Sequence, residues 1–456
     1  MPLGVISGAA VIRLQRLLHM AAVDRAVFFA ILGRVTQLVV APVTLVLVAS
    51  HLTPTAQGFY FTFGSLLAAQ SFFELGLSLV LVNFASHEWA RLSLGSDGRV
   101  KGDQTAISKL AELGRLTSKW FGVGSVLFAL IVGSVGFECF AHSPTDVEWL
   151  MPWLLLVALT AIGFWTLPRD AILEGCNQVA VLHQFRCGQA LLGNMVCWIA
   201  LLMGADLWTL PIWAAVNLLR SLLLHGVRYR RFWEGLRDPL IRSELNWRRD
   251  IWPMQWRVGL SGLVSFFAFS LFTPVIFHYY GPVRAGQMGM TWTIVCGVQS
   301  ICLMWIYARV PQFGALVSQR EFKKLDEIWR RTTRASLIIT VGASVSCWAG
   351  IYAINHLGLP FAERLLPPLP TLLFFIGIIC AQLAHCFVVY LRAHKKEPIM
   401  VASVTTSLLT GMSGWLLGRD YGPDGVALAY LCVMALGTLP WMATIWRRCR
   451  AQWHPV

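Results

Sequence analysis

"PTAQGFYFTFGSLLAAQSFFELGL", residues 54–77, carries one acidic side chain, Glu74, in a run otherwise apolar enough to cross a bilayer. A second stretch, "PVRAGQMGMTWTIVCGVQS" at 282–300, opens on the same Pro-x-x-x-Gly pattern, with Pro282 and Gly286 answering Pro54 and Gly58. Each ends in a similar corner, "NFAS" with Phe84 and "PQFG" with Phe313. The segments that follow repeat more closely. "KLAELGRLTSK" (Lys109–Lys119) and "KLDEIWRRTTR" (Lys324–Arg334) hold Lys, Leu, Glu, Arg and Thr at identical spacing. The offset between the copies shrinks along the way, which places an insertion of about fourteen residues in the first copy, near "GSDGRVKGDQTA". The repeated Lys-Leu-x-Glu segments read as surface helices at the membrane interface, with Glu112–Arg115 and Glu327–Arg330 as i,i+3 pairs.

The unit that repeats is built for lipid. Of 456 residues, 56% are hydrophobic and 13% charged, against roughly 25% charged in a soluble domain. A membrane span needs about 20 predominantly apolar residues. On that criterion twelve are predicted, at 27–50, 57–83, 120–141, 150–168, 180–203, 208–227, 253–279, 287–311, 335–357, 369–390, 398–418 and 424–446. The predicted class is therefore an all-α polytopic membrane protein, with two six-helix lobes as parallel copies. The lobes occupy 27–228 and 253–446, joined by a basic linker at 229–252. Residues 1–26 form an interfacial amphipathic segment, and 447–456 a tail.

The net charge of +14 could suit nucleic acid, but its distribution argues otherwise. Basic residues crowd the loops 84–119, 169–179, 228–252, 312–334 and 391–397, whereas the opposite loops hold only Arg284, Arg364 and Arg419. The positive-inside rule then puts both termini in the cytoplasm, and anionic lipids account for the charge without nucleic acid. The eleven cysteines are scattered through apolar runs with no CxxC pair, so neither a disulfide framework nor a metal site is expected. No hydrophilic stretch is long enough for a soluble catalytic domain, so the chain does not read as an enzyme.

Charges inside spans are costly and mark function or pairing. They are Arg34, Glu74, Arg186, Arg220 and Arg257. Arg34 and Arg257 lie early in the first span of each copy, where they either snorkel or offer cations to a polar path. Arg220 shares a helical face with Asn217, and Arg186 stands three residues from His183 and Gln189. Gln70 precedes Glu74 by one turn, and Gln299 occupies nearly the same point of the eighth span. Glu74 is either an ion-pair partner for an arginine or a proton-accepting coupling residue. "PRDAILEGCNQV" places Arg169, Asp170 and Glu174 in a turn after the fourth span, a solvated cap or a cytoplasmic gate.

Three stretches together, "QGFYFTFGSLLAAQSFFELGLSLVL", "ILEGCNQ" and "PQFGALVSQREFKKLDEIWRR", resemble the polysaccharide-flippase branch of the MOP exporter superfamily, the Wzx-type translocases. That family carries an aromatic, an acid and "xGL" at the end of the second span, matched here by Phe73, Glu74, Gly76 and Leu77. The resemblance implies a MATE/MOP-like fold in the bacterial inner membrane. It further implies flipping of an undecaprenyl-pyrophosphate-linked oligosaccharide by alternating access, coupled to H+ or Na+ and without a cofactor. Other polysaccharide-assembly proteins are the implied partners, beside the substrate and membrane lipids. Guanidinium groups suit a diphosphate, since they stay charged and bind it bidentately. The rivals are a MATE-like exporter of small molecules, which should line its path with carboxylates, and a membrane polymerase or ligase, which should carry a large outer loop.

Overall fold

The computed structural model describes residues 25–143, 145–237, 247, 251–252, 255–256, 259, 266, 268–394 and 396–454; within 25–37 only a few side chains are described. Most of the predicted amphipathic segment, half of the basic linker and most of the first part of the seventh span lie outside the described residues.

The described elements are helical apart from one hairpin. In chain order they are α1 (Arg25–His51), α2 (Pro54–Leu67), α3 (Gln70–Glu74), α4 (Leu77–Trp89), β1 (Leu92–Leu94), β2 (Val100–Gly102), α5 (Gln104–Ala141), α6 (Leu150–Gly175), α7 (Val179–Leu202), α8 (Thr209–Leu223) and α9 (Arg230–Gly235). Then follow α10 (Phe272–Tyr307), α11 (Val310–Ser318), α12 (Phe322–His356), α13 (Pro368–Arg392), α14 (Met400–Cys432) and α15 (Leu439–Trp453). Among the described residues eight helices are long and apolar enough to cross a membrane, or nine if α2–α4 is taken as one bent span.

Two of these carry a break that divides them into successive spans. Gly281 (φ 80°, ψ 176°) interrupts α10, and Gly422 (φ 63°, ψ −146°) interrupts α14. Only glycine enters that backbone region without strain, and each is followed by a proline whose fixed φ suits the first turn of a new helix. Gly281-Pro282 and Gly422-Pro423 therefore separate spans seven from eight and eleven from twelve.

Contacts divide the chain into two units. The first comprises Met1–Leu47, Gly76–Ala129 and Leu155–Gln255; the second comprises Val48–Leu75, Leu130–Leu154 and Trp256–Val456. Within the second unit the paired Pro-x-x-x-Gly motifs pack against each other. A side chain on Gly58 would overlap the Pro282 carbonyl, and one on Gly286 would come within 2.9 Å of the Gly58 nitrogen. Close backbone approach through small residues is the usual means of packing membrane helices, where lipid offers no hydrophobic drive between them. The buried Gln57 ties the crossing, donating to the carbonyls of Gly286 and Arg364 at 3.0 Å each. An aromatic cluster fills in beside it: Phe59 meets Phe277 edge-on at 4.9 Å, and Phe63 lies 4.9 Å from Trp153.

Several local expectations need correction. "NFAS" is no corner, because α4 continues through Phe84 to Trp89. The repeated Lys-Leu-x-Glu segments are the first turns of the long helices α5 and α12, continuous with spans three and nine, and are not separate interfacial helices. Glu112 and Arg115 do pair, at 3.6 Å, but in the second copy the anchoring acid is Asp326, which accepts from Tyr390 at 2.6 Å and is clasped by Arg450. The insertion in the first copy is a β-hairpin, Leu92–Leu94 antiparallel to Val100–Gly102, turning through Asp97 and Gly98 (φ 77°). Lys101 pairs with Asp97 at 3.1 Å, and its hydrogen bond holds that carboxyl below the usual range. Arg231 of α9 donates to the Asp97 carbonyl at 3.2 Å, seating the hairpin on the start of the linker.

Candidate functional site

The "ELGL" motif is a helix break. α3 ends at Glu74, Leu75 (φ 48°) and Gly76 (φ 64°) both take the left-handed conformation, and α4 restarts at Leu77 with the axis bent by 46°. A leucine rarely adopts that conformation, so the surroundings must hold it there. In the second unit Phe72 packs edge-on against Phe266 at 4.6 Å, and a side chain on Gly259 would come within 2.9 Å of the Leu75 carbonyl. Glu74 is half-buried at the end of α3 and has no ion pair or hydrogen bond from its side chain among the described residues. Gln70, one turn earlier, is half-buried as well.

The first unit gathers five of the predicted residues into one polar network. α6 carries Thr166, Asp170 and Glu174 at four-residue spacing, which stacks them on one face. Asp170 is 5% exposed; it receives Arg220 at 3.2 Å and the Nε2 of His225 at 2.9 Å. Glu174 receives Arg186 at 3.2 Å, and Thr166 accepts from Ser221 at 2.8 Å. Gln189 of α7 donates to Asn217 of α8, closing the network across the two helices. Arg169, Asp170 and Glu174 therefore lie in the last two turns of a continuous helix rather than in a solvated turn, and Arg169 leans over the Trp165 ring. His225 went unnoticed in the sequence, although Asn217, Ser221 and His225 repeat every four residues and mark a polar stripe on the sixth span.

The remaining predicted residues lie elsewhere. Gln299 lines a cavity of about 250 Å³ in the second unit, with Tyr307, His385, Arg392 and Thr406 on its wall. The side chain of Arg34 and the whole of Arg257 lie outside the described residues. Among the described residues no cluster of His, Cys, Asp and Glu is arranged to hold a metal ion.

Comparison by structure gives a clear answer where comparison by sequence gives none. No family model and no curated protein matches the sequence. The structure resembles an inward-facing multidrug resistance MATE transporter of the MOP superfamily, with a TM-score of 0.63 and 13% identity over 94% of this chain and 99% of that one. The fold is MATE/MOP-like. Lipid II flippase MurJ in an inward closed conformation is similar to the same degree, with a TM-score of 0.64 and 13% identity over 92% of this chain and 87% of that one. A MOP superfamily transporter from Pyrococcus furiosus follows with 0.54 and 14% identity, covering 94% of each chain. At such identities the likeness carries the fold alone, and the MATE and flippase structures stand level.

Proposed function

We propose that the protein is a Wzx-type flippase, which carries an undecaprenyl-pyrophosphate-linked oligosaccharide from the inner to the outer leaflet of the bacterial inner membrane by alternating access. The observation that supports this reading over a small-cation exporter is the fate of the acids. Asp170 and Glu174 are both engaged by arginine, so neither is free to neutralise a cationic substrate. Arg34, Arg169, Arg186, Arg220 and Arg257 outnumber Glu74, Asp170 and Glu174 in or near the spans, and Arg220 has Nε and Nη1 without a partner among the described residues. A surplus of guanidinium suits a diphosphate head, whose lipid tail stays in the bilayer while the sugar needs a polar path.

Glu74 is the coupling residue in this reading. A carboxyl at a helix break, without an ion pair among the described residues, can change protonation or partner as the break rearranges, and so bias a two-state equilibrium. The deciding experiment uses proteoliposomes loaded with a fluorescent undecaprenyl-pyrophosphate oligosaccharide and, separately, with a small cationic dye. Protein-dependent movement of the lipid-linked sugar without the dye supports the flippase. Movement of the dye alone would make the protein an exporter.

A further inference from the structure

A cavity with a largely cationic wall lies in the first unit, apart from Glu74. α5, the end of α6, the end of the sixth span and the linker helix α9 enclose a cavity of about 750 Å³, a size typical of small-molecule sites. Among the described residues its wall carries Arg115, Lys119, Arg169, Arg230 and Arg237 against one acid, Glu234. Arg230 is occupied by Glu234 at 2.8 Å and Arg115 by Glu112 at 3.6 Å. Lys119, Arg169 and Arg237 have no carboxylate partner among the described residues.

Two buried polar groups on the same wall point to a ligand. His225 is 3% exposed, and with Nε2 held by Asp170 its Nδ1 has no partner among the described residues. The Trp233 indole N–H is likewise buried and without a partner among the described residues. Buried polar atoms are normally satisfied, so an orphan donor and an orphan ring nitrogen beside unpaired cations describe what is missing. With Nε2–H donating to the carboxylate, Nδ1 offers a lone pair and accepts from a hydroxyl, whereas Trp233 and the cations donate to an anion. We infer that this cavity binds a phosphate ester bearing hydroxyl groups, with its phosphate on Lys119, Arg237 and Trp233 and a hydroxyl on His225.

That chemistry belongs both to a phosphatidylglycerol headgroup and to a soluble polyol phosphate, so the test separates them. The full-length protein in detergent is titrated with dihexanoyl phosphatidylglycerol, with glycerol 1-phosphate and with dihexanoyl phosphatidylcholine, and binding is read by microscale thermophoresis. Both cations to be changed are exposed, so the Lys119→Gln/Arg237→Gln variant keeps the fold, and Trp233→Phe removes only the N–H. Saturable binding of either glycerophosphate, roughly tenfold or more weaker in the double variant and weaker in Trp233→Phe, is the expected result. Preference for the lipid over glycerol 1-phosphate assigns the headgroup; equal affinity assigns the soluble ester. Binding that is absent, that is matched by phosphatidylcholine, or that is unchanged in both variants overturns the inference.

Discussion

Asp170 holds the Arg220 guanidinium and the His225 imidazole, both from the sixth span, while it is itself almost wholly buried, so its removal should be felt far more than that of a surface acid. Breaking a buried pair strands the other charge, which costs about 3–5 kcal/mol, whereas replacing both by apolar groups is often nearly neutral. Asp170→Asn should lower the thermal unfolding midpoint in detergent sharply, and Asp170→Val/Arg220→Met should recover much of the loss. Additive losses in the two single variants and the pair would mean that these groups do not stabilise each other. If Arg220 also contacts substrate, the double variant regains stability without regaining transport. Glu74 calls for the opposite outcome, because it has no ion pair among the described residues. Glu74→Gln should leave the unfolding midpoint close to wild type while transport falls, and Glu74→Asp should retain part of it. Wild-type transport with unchanged pH dependence in Glu74→Gln would reduce this residue to packing at the break.

The Pro-x-x-x-Gly pairing makes its own forecast at the level of elements, since its two glycines are the contact and not merely a signature. Gly58→Ala must push the Pro282 backbone away, at a cost in the range of about 1–3 kcal/mol for overpacking. Gly64→Ala in the same helix meets nothing within 4 Å and should be neutral or slightly stabilising, since alanine is the better helix former. Comparing the two unfolding midpoints checks this; equal effects would deny the crossing. The last helix offers a pH test. His394 and His454 face each other through their Nε2 atoms at 2.9 Å, with Asp326, Arg450 and Lys396 as the charged neighbours. Burial pushes both imidazoles below 6.5, so the neutral pair is the stable form, and its contribution is complete above that pH and lost as pH falls through the lowered values. Protection of the Arg450–His454 amides against hydrogen exchange, taken relative to the intrinsic rate at each pH, should therefore fall as pH drops below 6.5 in wild type and lose this dependence in His394→Gln. Span positions were legible because lipid demands long apolar runs, and Gly-Pro marked two of the breaks. The hairpin was missed although Asp97-Gly98 is a common turn pair, because three-residue strands carry too little alternation to register. The bend at Leu75 was illegible for a different reason: the left-handed leucine is imposed by packing from Gly259 and Phe266, which lie far off in sequence.

For the whole molecule, the sequence located the polar residues but not their grouping. Their span positions mark Arg186 and Arg220 as expensive and put Asn217 on the face of Arg220, whereas Asp170 and Glu174 read as part of a turn; the fold brings all five into neighbouring polar pairs because three helices of the first unit present their four-residue stripes to one another. Which stripe meets which is a matter of helix rotation, and no spacing within one helix encodes it. The MATE/MOP-like fold expected from the motif resemblance is the one observed, yet neither it nor the network fixes which side of the membrane is which. That rests on the basic loops, and it decides the direction of transport. Single cysteines at Asp146, Arg284 and Asp424, all exposed, should react with an impermeant maleimide from outside intact cells, whereas Arg237 and Lys323 should react only after permeabilisation. Gly422, the obvious marker between the last two spans, is unsuitable, because its left-handed backbone strains any side chain and the Tyr280 ring lies 3.2 Å from where a Cβ would be. A cysteine-free background is needed, and the buried Cys176, Cys187, Cys197, Cys302 and Cys386 should be replaced by alanine or serine only with a check on folding, since each fills space in the packed interior. Labelling in the reverse pattern would place the basic loops outside, against the charge rule, and would reverse the proposed direction of transport.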